Sequence, residues 1–372
     1  MKKLLVLLEK EFRQVFRNPA ILRMVLVMPV VQLLIFPFAA NYEVKNVFLS
    51  IVDHDHSSYS QKFISKITGS GYFKLTDFSP SYSKAMESIE ADQADLIIEI
   101  PEGFERNLIK ENRSAMLIAV NAVNGVKANL GGAYAANIIR DFNTEIRMEW
   151  IPFPKFSVAP TIEITSSNWY NPTMNYKLFM VPGILVTLLT LIGSLMAALN
   201  IVHEKEVGTI EQINVSPITK LEFILGKLIP FWIMGLVTLT LGLLVSRIVY
   251  HIIPMGSIAL IYLFGMVFLF TLLGVGLLIS TYAETQTQAT FVSFFVMMLF
   301  MLLGGLYTPI ESMPEWAKWI TKINPVAYFI EVMRMIVLKG SGFTDVKVQF
   351  FSVLGLGILF NSWAVINYRK RS

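Results

Sequence analysis

Apolar and polar positions follow two regimes along this chain. From 21 to 40, and again from 178 to 366, long apolar runs are broken only by short polar stretches. Between them, residues 41–177 carry alternating or short apolar runs separated by polar stretches. A helix needs about 20 apolar residues to cross roughly 30 Å of hydrocarbon. The segments Ile21–Ala40, Leu178–Val202, Leu228–Tyr250, Gly256–Ser280, Thr290–Tyr307 and Lys347–Ile366 come within a few residues of that length. In the 41–177 segment, Val47–Val52, Phe73–Phe78, Leu96–Ile100 and Met116–Val120 read as strands. Helical patterns cover Ser58–Thr68, Tyr82–Ala91 and Gly103–Lys110, with a longer one over Val126–Arg147. The pattern predicts an α-helical polytopic membrane protein with six transmembrane helices and an inserted extracytoplasmic α+β domain.

Three polar or amphipathic stretches interrupt the apolar regime. Residues 1–20 predict a cytoplasmic interface helix: Leu4, Leu5, Leu8, Phe12, Val15 and Phe16 share a face, opposite Lys10, Arg13, Gln14 and Arg17. Residues 203–227 concentrate charge between two apolar runs, and Gly208 and Ser216-Pro217 divide them into two short helices. Such a loop is either a solvated connector or a docking surface for a soluble partner. Residues 308–346 predict two short helices broken at Asn324-Pro325, neither long enough to span. One reading dips the pair into the outer leaflet, with Trp316 and Trp319 at the interface and Glu331 pairing with Arg334 at i,i+3. The other reading is a plain surface helix.

Composition sharpens this picture. Hydrophobic residues make up 54% and charged residues 16% of the chain, against about a quarter charged in soluble domains. Lys2, Lys3, Lys10, Arg13, Arg17 and Arg23 accompany the first span, and Arg369, Lys370 and Arg371 lie in the 367–372 tail. Both ends are therefore expected in the cytoplasm, which puts 203–227 inside and 41–177 and 308–346 outside. Lys318, Lys322, Arg334 and Lys339 run against that rule and mark 308–346 as unusual. The long polar lead, Arg23 and a poor cleavage site make the first run a retained anchor and not a signal peptide.

Net charge is +4 and cysteine is absent, which gives no case for nucleic acid binding, disulfides or thiolate metal sites. No phosphate-binding loop, H-E-x-x-H or G-x-S-x-G is present. No catalytic residue, metal or directly bound cofactor is assigned, and any ATP chemistry falls to a partner. Asp53-His54-Asp55-His56 brings four ligand-type side chains to a strand end, where a solvated turn is the simpler reading.

These segments, in this order, resemble the permease subunit of a type-2 ABC exporter, in the subclass with a large external domain after the first span. Asp53 with Ser57-Ser58-Tyr59-Ser60, then Ile100-Pro101-Glu102-Gly103-Phe104-Glu105, resemble motifs of that external domain. Trp169-Tyr170-Asn171-Pro172 and Pro182-Gly183 resemble the approach to the second span. Glu204, Glu206, Gly208, Thr209, Glu211, Ser216-Pro217 and Gly226-Lys227 resemble the cytoplasmic signature loop, with His203 where arginine is usual. Thr285-Gln286-Thr287-Gln288-Ala289 resembles the turn after the fourth span. Pro309 to Pro314, Asn324-Pro325 and Arg334 resemble the external re-entrant segment.

The resemblance implies a subunit without its own nucleotide site, driven by separate ATPase subunits. Coupling would fall to Glu204, Lys205, Glu206, Gly208, Thr209 and Glu211, aided by Arg13 and Arg17. An external gate would include Pro309, Pro314, Asn324, Pro325, Glu331 and Arg334. It further implies a second permease, identical or not, a path for an amphipathic or apolar cargo, and a place in the bacterial inner membrane. A periplasmic adaptor and outer-membrane channel are the expected further partners. The rival reading is a non-transporting membrane receptor or scaffold with a ligand-binding external domain.

Overall fold

The computed structural model describes residues 2–39, 47–123, 125–150, 169–171, 175–209 and 218–367. The chain divides into two compact units, one formed by Met1–Asn41 with Ser166–Ser372 and the other by Tyr42–Thr165.

The first unit is helical. Tyr176–Glu206, Lys220–Tyr250, Ile258–Tyr282 and Phe343–Asn367 are each long and apolar enough to cross a membrane, which makes this a polytopic membrane protein. Arg23–Phe38 and Gln286–Leu302 are shorter apolar helices. They lie on two of the runs read as spans from sequence, and neither reaches the length of the other four. π turns at Arg23–Val27 and Leu191–Met196 interrupt two of the helices.

Among lipid tails apolar burial gives little driving force, so close packing holds such helices together. Gly276 shows how. A Cβ there would lie 2.4 Å from the Ser194 carbonyl oxygen, so only glycine lets Ile258–Tyr282 approach the second π turn. Leu185, Leu189, Phe264, Phe268, Leu269 and Phe329 fill the centre. Phe343–Asn367 is peripheral and turns Phe351, Ile358, Leu359, Trp363 and Ile366 outward, an apolar surface suited to lipid.

The N-terminal helix Lys2–Arg17 packs along the start of Lys220–Tyr250. Its buried stripe is Leu7, Glu11 and Val15, while Leu5 and Phe16 of the predicted apolar face are exposed. The stripe is rotated from the hydropathic one because Glu11 finds a charged partner inside, described below.

The second unit carries a four-stranded sheet in the order β2-β1-β3-β4, with β1 Val47–Asp53, β2 Phe73–Phe78, β3 Leu96–Ile100 and β4 Leu117–Val120. β2, β1 and β3 run parallel, and β4 pairs antiparallel with β3. Alternation along β1 sends Val47, Leu49 and Ile51 to one face, against Phe63, Ile67, Phe104 and Phe142. Val52 faces the other way with Ile97 and Ala85. Helices cover both faces, as a largely parallel sheet requires.

Candidate functional site

Helix Tyr176–Glu206 ends in Glu204, Lys205 and Glu206. Consecutive side chains on a helix project about 100° apart, so these three reach three different neighbours. Glu204 is 4% exposed and points to Lys227, whose side chain is 0% exposed. The Lys227 ammonium lies 2.7 Å from Glu204 Oε1 and 2.8 Å from Glu11 Oε1. Lys10 Nζ approaches the same oxygens at 2.8 and 3.1 Å. Thr209 donates its hydroxyl hydrogen to Glu204 Oε2. Two carboxylates and two ammoniums form a neutral cluster joining the N-terminal helix, the end of Tyr176–Glu206 and the start of Lys220–Tyr250. Burial lowers the Lys10 pKa, but the bonds to Glu204 and Glu11 outweigh that and leave it raised.

Lys205 donates to the Ser280 carbonyl and, at 3.4 Å, to that of Ala283. These close helix Ile258–Tyr282, whose last carbonyls lack intrahelical partners and favour a cation. Glu206 Oε2 accepts from the Gln286 side-chain amide at 2.7 Å and its backbone N–H at 3.3 Å. Gln286 is the first residue of helix Gln286–Leu302, where free N–H groups favour an anion. Gly208 then turns the chain at φ +81°, a left-handed conformation that only glycine adopts without strain. Thr219 and Glu222 form a reciprocal capping box that starts Lys220–Tyr250.

Gly226 fits the N-terminal helix closely: a Cβ there would lie 2.3 Å from Leu7 Cδ2. Arg13 pairs with Glu9 at 2.6 Å on the open side of the same helix, and Arg17 is exposed there too. Both line an open concavity of about 750 Å³ with Val6, Glu9, Lys10 and Gln14. Glu211, with Ile210, Ile213, Val215 and Ser216-Pro217, lies outside the described residues. Sequence reasoning did not foresee the roles of Glu11, Lys227 and Gly226. The available signal was a single carboxylate at helical spacing between Leu7 and Val15, and a single lysine leading a long apolar run.

The 308–346 segment holds a short 3-10 turn Ile310–Ser312 after Pro309, helix Glu315–Thr321 capped by Pro314, and helix Pro325–Lys339. Asn324 is fully buried; its Oδ1 caps Val326 N–H at 3.0 Å and its Nδ2 donates to the Phe300 carbonyl at 2.8 Å. Pro325 occupies the first turn, where no N–H is needed. Trp316 and Trp319 are exposed, with Lys322 Nζ 3.7 Å above the Trp319 ring.

The expected Glu331–Arg334 pair does not form. Glu331 accepts from Gln349 Nε2 at 3.1 Å. Arg334 turns toward Tyr176–Glu206, where its guanidinium sits 3.5 Å from the centre of the Phe179 ring and Nη1 donates to the Gly305 carbonyl at 3.0 Å. Stacking on the ring draws it away from an exposed carboxylate. Among the described residues its Nε and Nη2 have no hydrogen-bond partner, and a buried donor left so costs about 1–3 kcal/mol.

The Asp53–His56 cluster is a turn. Asp53 Oδ1 accepts from the Asp55 and His56 N–H groups at 3.0 and 3.1 Å, and its Oδ2 from the Ser60 hydroxyl at 2.8 Å. Asp55 accepts from the Glu105 N–H at 3.0 Å, and Glu105 from the Ser58 N–H at 3.1 Å. The Asp53–Ser60 and Ile100–Glu105 motifs thus fasten the loops after β1 and β3 to each other. Among the described residues no three His, Asp or Glu side chains come together as a metal site.

Comparison with known proteins places these features in a family. Residues 19–366 match the model described as ABC-2 family transporter protein. The chain is 30% identical over 370 residues to the probable multidrug ABC transporter permease YbhR of Escherichia coli (strain K12), covering 99% of each. It is 26% identical over 367 residues to the probable multidrug ABC transporter permease YbhS of the same organism, covering 97% of this chain and 95% of that one. The linearmycin resistance permease protein LnrN of Bacillus subtilis (strain 168) is 23% identical over 368 residues, with 93% and 94% covered.

Proposed function

The chain belongs to the ABC-2 family of transporter proteins, and from that premise we propose how this permease receives and uses the work of a separate ATPase. The observation that carries the proposal is the fan of contacts from Glu204, Lys205 and Glu206. One short helix end grips the N-terminal helix and Lys227 through Glu204, the end of Ile258–Tyr282 through Lys205, and the start of Gln286–Leu302 through Glu206. A push on the adjoining Gly208–Thr209 turn therefore reaches four other helices at once.

In this reading both chain ends lie in the cytoplasm of a bacterial inner membrane, and Arg23–Phe38 and Gln286–Leu302 complete six spans. The Tyr42–Thr165 unit stands outside, where it meets an adaptor leading to an outer-membrane channel. A pair of ABC-type ATPase subunits seats on the 203–227 loop, including Glu211. Arg13 and Arg17 border the concavity beside it, where a protein partner with acidic side chains fits. Two permeases, identical or similar, frame the path between them, and ATP-driven closure rocks the bundles apart on the outer side. The segment bearing Pro309, Pro314, Asn324, Pro325, Glu331 and Arg334 acts as the outer gate. The multidrug and linearmycin labels of the relatives suit the amphipathic cargo expected from hydropathy. A receptor or scaffold role has no observation in its favour.

The test is reconstitution in proteoliposomes with the ATPase that co-purifies. Glu206→Ala and Gly208→Val are expected to leave ATP hydrolysis running while transport of a lipophilic dye falls roughly tenfold, the scale of a typical inter-site coupling. Full transport by both variants would refute the coupling role.

A further inference from the structure

We propose that Arg334 is an oxyanion-binding residue, which takes a carboxylate or phosphate carried on an apolar body. The inference deepens the proposed function, since it names a chemical class for the cargo, and it rests on the exporter reading for that consequence alone.

The guanidinium is fixed on two sides. Its plane lies against the Phe179 ring at 3.5 Å, and Nη1 is committed to the Gly305 carbonyl at 3.0 Å. What remains is the edge formed by Nε and Nη2, both buried and without a hydrogen-bond partner among the described residues. Those two N–H groups are parallel and are the pair that a carboxylate or phosphate engages in bidentate fashion. Its neighbour three positions back on the same helix cannot serve, since Glu331 is exposed and joined to Gln349 at 3.1 Å. Next to the free edge stands Gly183, where a Cβ would come 3.9 Å from Nη2 and collide with Leu306 Cδ1 at 2.3 Å. Leu306, Ile330, Met333 and Val337 are buried in the same cluster, and Tyr176 and the Glu311 carboxylate stand near enough to act on the guanidinium electrostatically. A pre-oriented fork within an apolar wall selects an amphiphile with an anionic head, and a neutral molecule of the same shape leaves both donors unpaired.

Two sources supply that chemistry, a transported amphiphilic acid and an anionic lipid headgroup. The experiment uses the full chain in neutral detergent and needs no ATPase, so it stands apart from the coupling test. Dodecanoate is compared with its methyl ester, and phosphatidylglycerol with phosphatidylcholine, by competition against a diazirine-bearing dodecanoate that is photo-cross-linked and mapped. We expect cross-links at 176–183 or 303–307. Dodecanoate should outcompete its ester by about tenfold or more, the worth of a charge-assisted bidentate pair. Arg334→Lys keeps the charge and loses the fork, and should collapse that ratio while a thermal melt reports a folded chain. Preference for phosphatidylglycerol without a dodecanoate preference would assign the site to lipid phosphate and uphold the oxyanion chemistry. Equal competition within both pairs, cross-links elsewhere on the wild-type chain, or an unchanged ratio in Arg334→Lys would overturn the proposal.

Discussion

Lys227 and Arg334 are both basic side chains withdrawn into an apolar helical bundle, one beside the 203–227 loop and the other in the 308–346 segment. Lys227 meets two carboxylates at 2.7 and 2.8 Å, and Lys10 balances the second negative charge. Arg334 meets one carbonyl, one aromatic face and no carboxylate within ion-pair distance among the described residues. The first cluster is charge-balanced, with Glu11 Oε2 alone among its carboxylate oxygens left without a partner among the described residues, so it resists being pulled apart and moves as one piece. A partly satisfied cation is stabilised by whatever reaches it next. The first arrangement suits transmission of force, the second recognition, and the contrast sets the order of effects expected from mutation.

The largest effect should follow Lys227→Met, which leaves Glu11 and Glu204 together in a buried site with only Lys10 to offset them. Loss of one partner from a buried ionic cluster costs about 3–5 kcal/mol, readable as a lowered midpoint in denaturant unfolding of the purified chain. Converting Glu204 to Met in the same background should recover part of that loss, because the remaining Lys10–Glu11 pair is then balanced. Arg334→Met should act with the opposite sign. Removing a cation with two unpartnered N–H groups should leave stability unchanged or raise it by about 1–3 kcal/mol, while oxyanion competition is lost. If both substitutions destabilise to the same degree, the contrast between the two sites is broken.

A smaller effect is expected at the seam beside Lys227. Gly226→Ala forces Leu7 aside and should cost about 1–2 kcal/mol; Leu7→Ala in the same chain should relieve the overlap, so the double variant loses less than the sum. The smallest effect concerns a satisfied charge in the Tyr42–Thr165 unit. Burial raises the Asp55 pKa, but hydrogen bonds from Ser57 and from the Glu105, Gly103 and Phe104 N–H groups hold it below the ordinary carboxylate value. A lowered carboxyl contributes stability above its ordinary value and loses it as pH falls through the lowered one. Hydrogen exchange in peptides covering 53–60 and 103–106, corrected for intrinsic rates, should therefore speed up only below about pH 4, and Asp55→Asn should abolish that step.

Much of this architecture was legible in the chain because its signals are local. The short apolar runs Val47–Val52 and Leu96–Ile100 mark strands that pair in the sheet, and the Asn324-Pro325 break is a cap whose chemistry is spelled out by adjacent residues. The ionic cluster was not legible in the same way. Glu11 and Glu204 are separated by most of the chain, and the spacing that displays Glu204, Lys205 and Glu206 as a charged surface also lets each reach a neighbouring helix. Helical periodicity says which way a side chain points and not what stands opposite. For the same reason Glu331 and Arg334, well placed to pair on an isolated helix, were drawn to Gln349 and Phe179 by packing that one helix cannot report.

The account turns on the 203–227 face being the inner one and the one that a motor grips. Because the chain contains no cysteine, Val207→Cys introduces a single thiol at an exposed position two residues from Lys205. A membrane-impermeant maleimide should label it in inside-out vesicles, fail to label it in right-side-out ones, and be blocked when the ATPase is bound. Labelling from the outer side, or labelling from the inner side that the bound ATPase leaves untouched, would contradict the account.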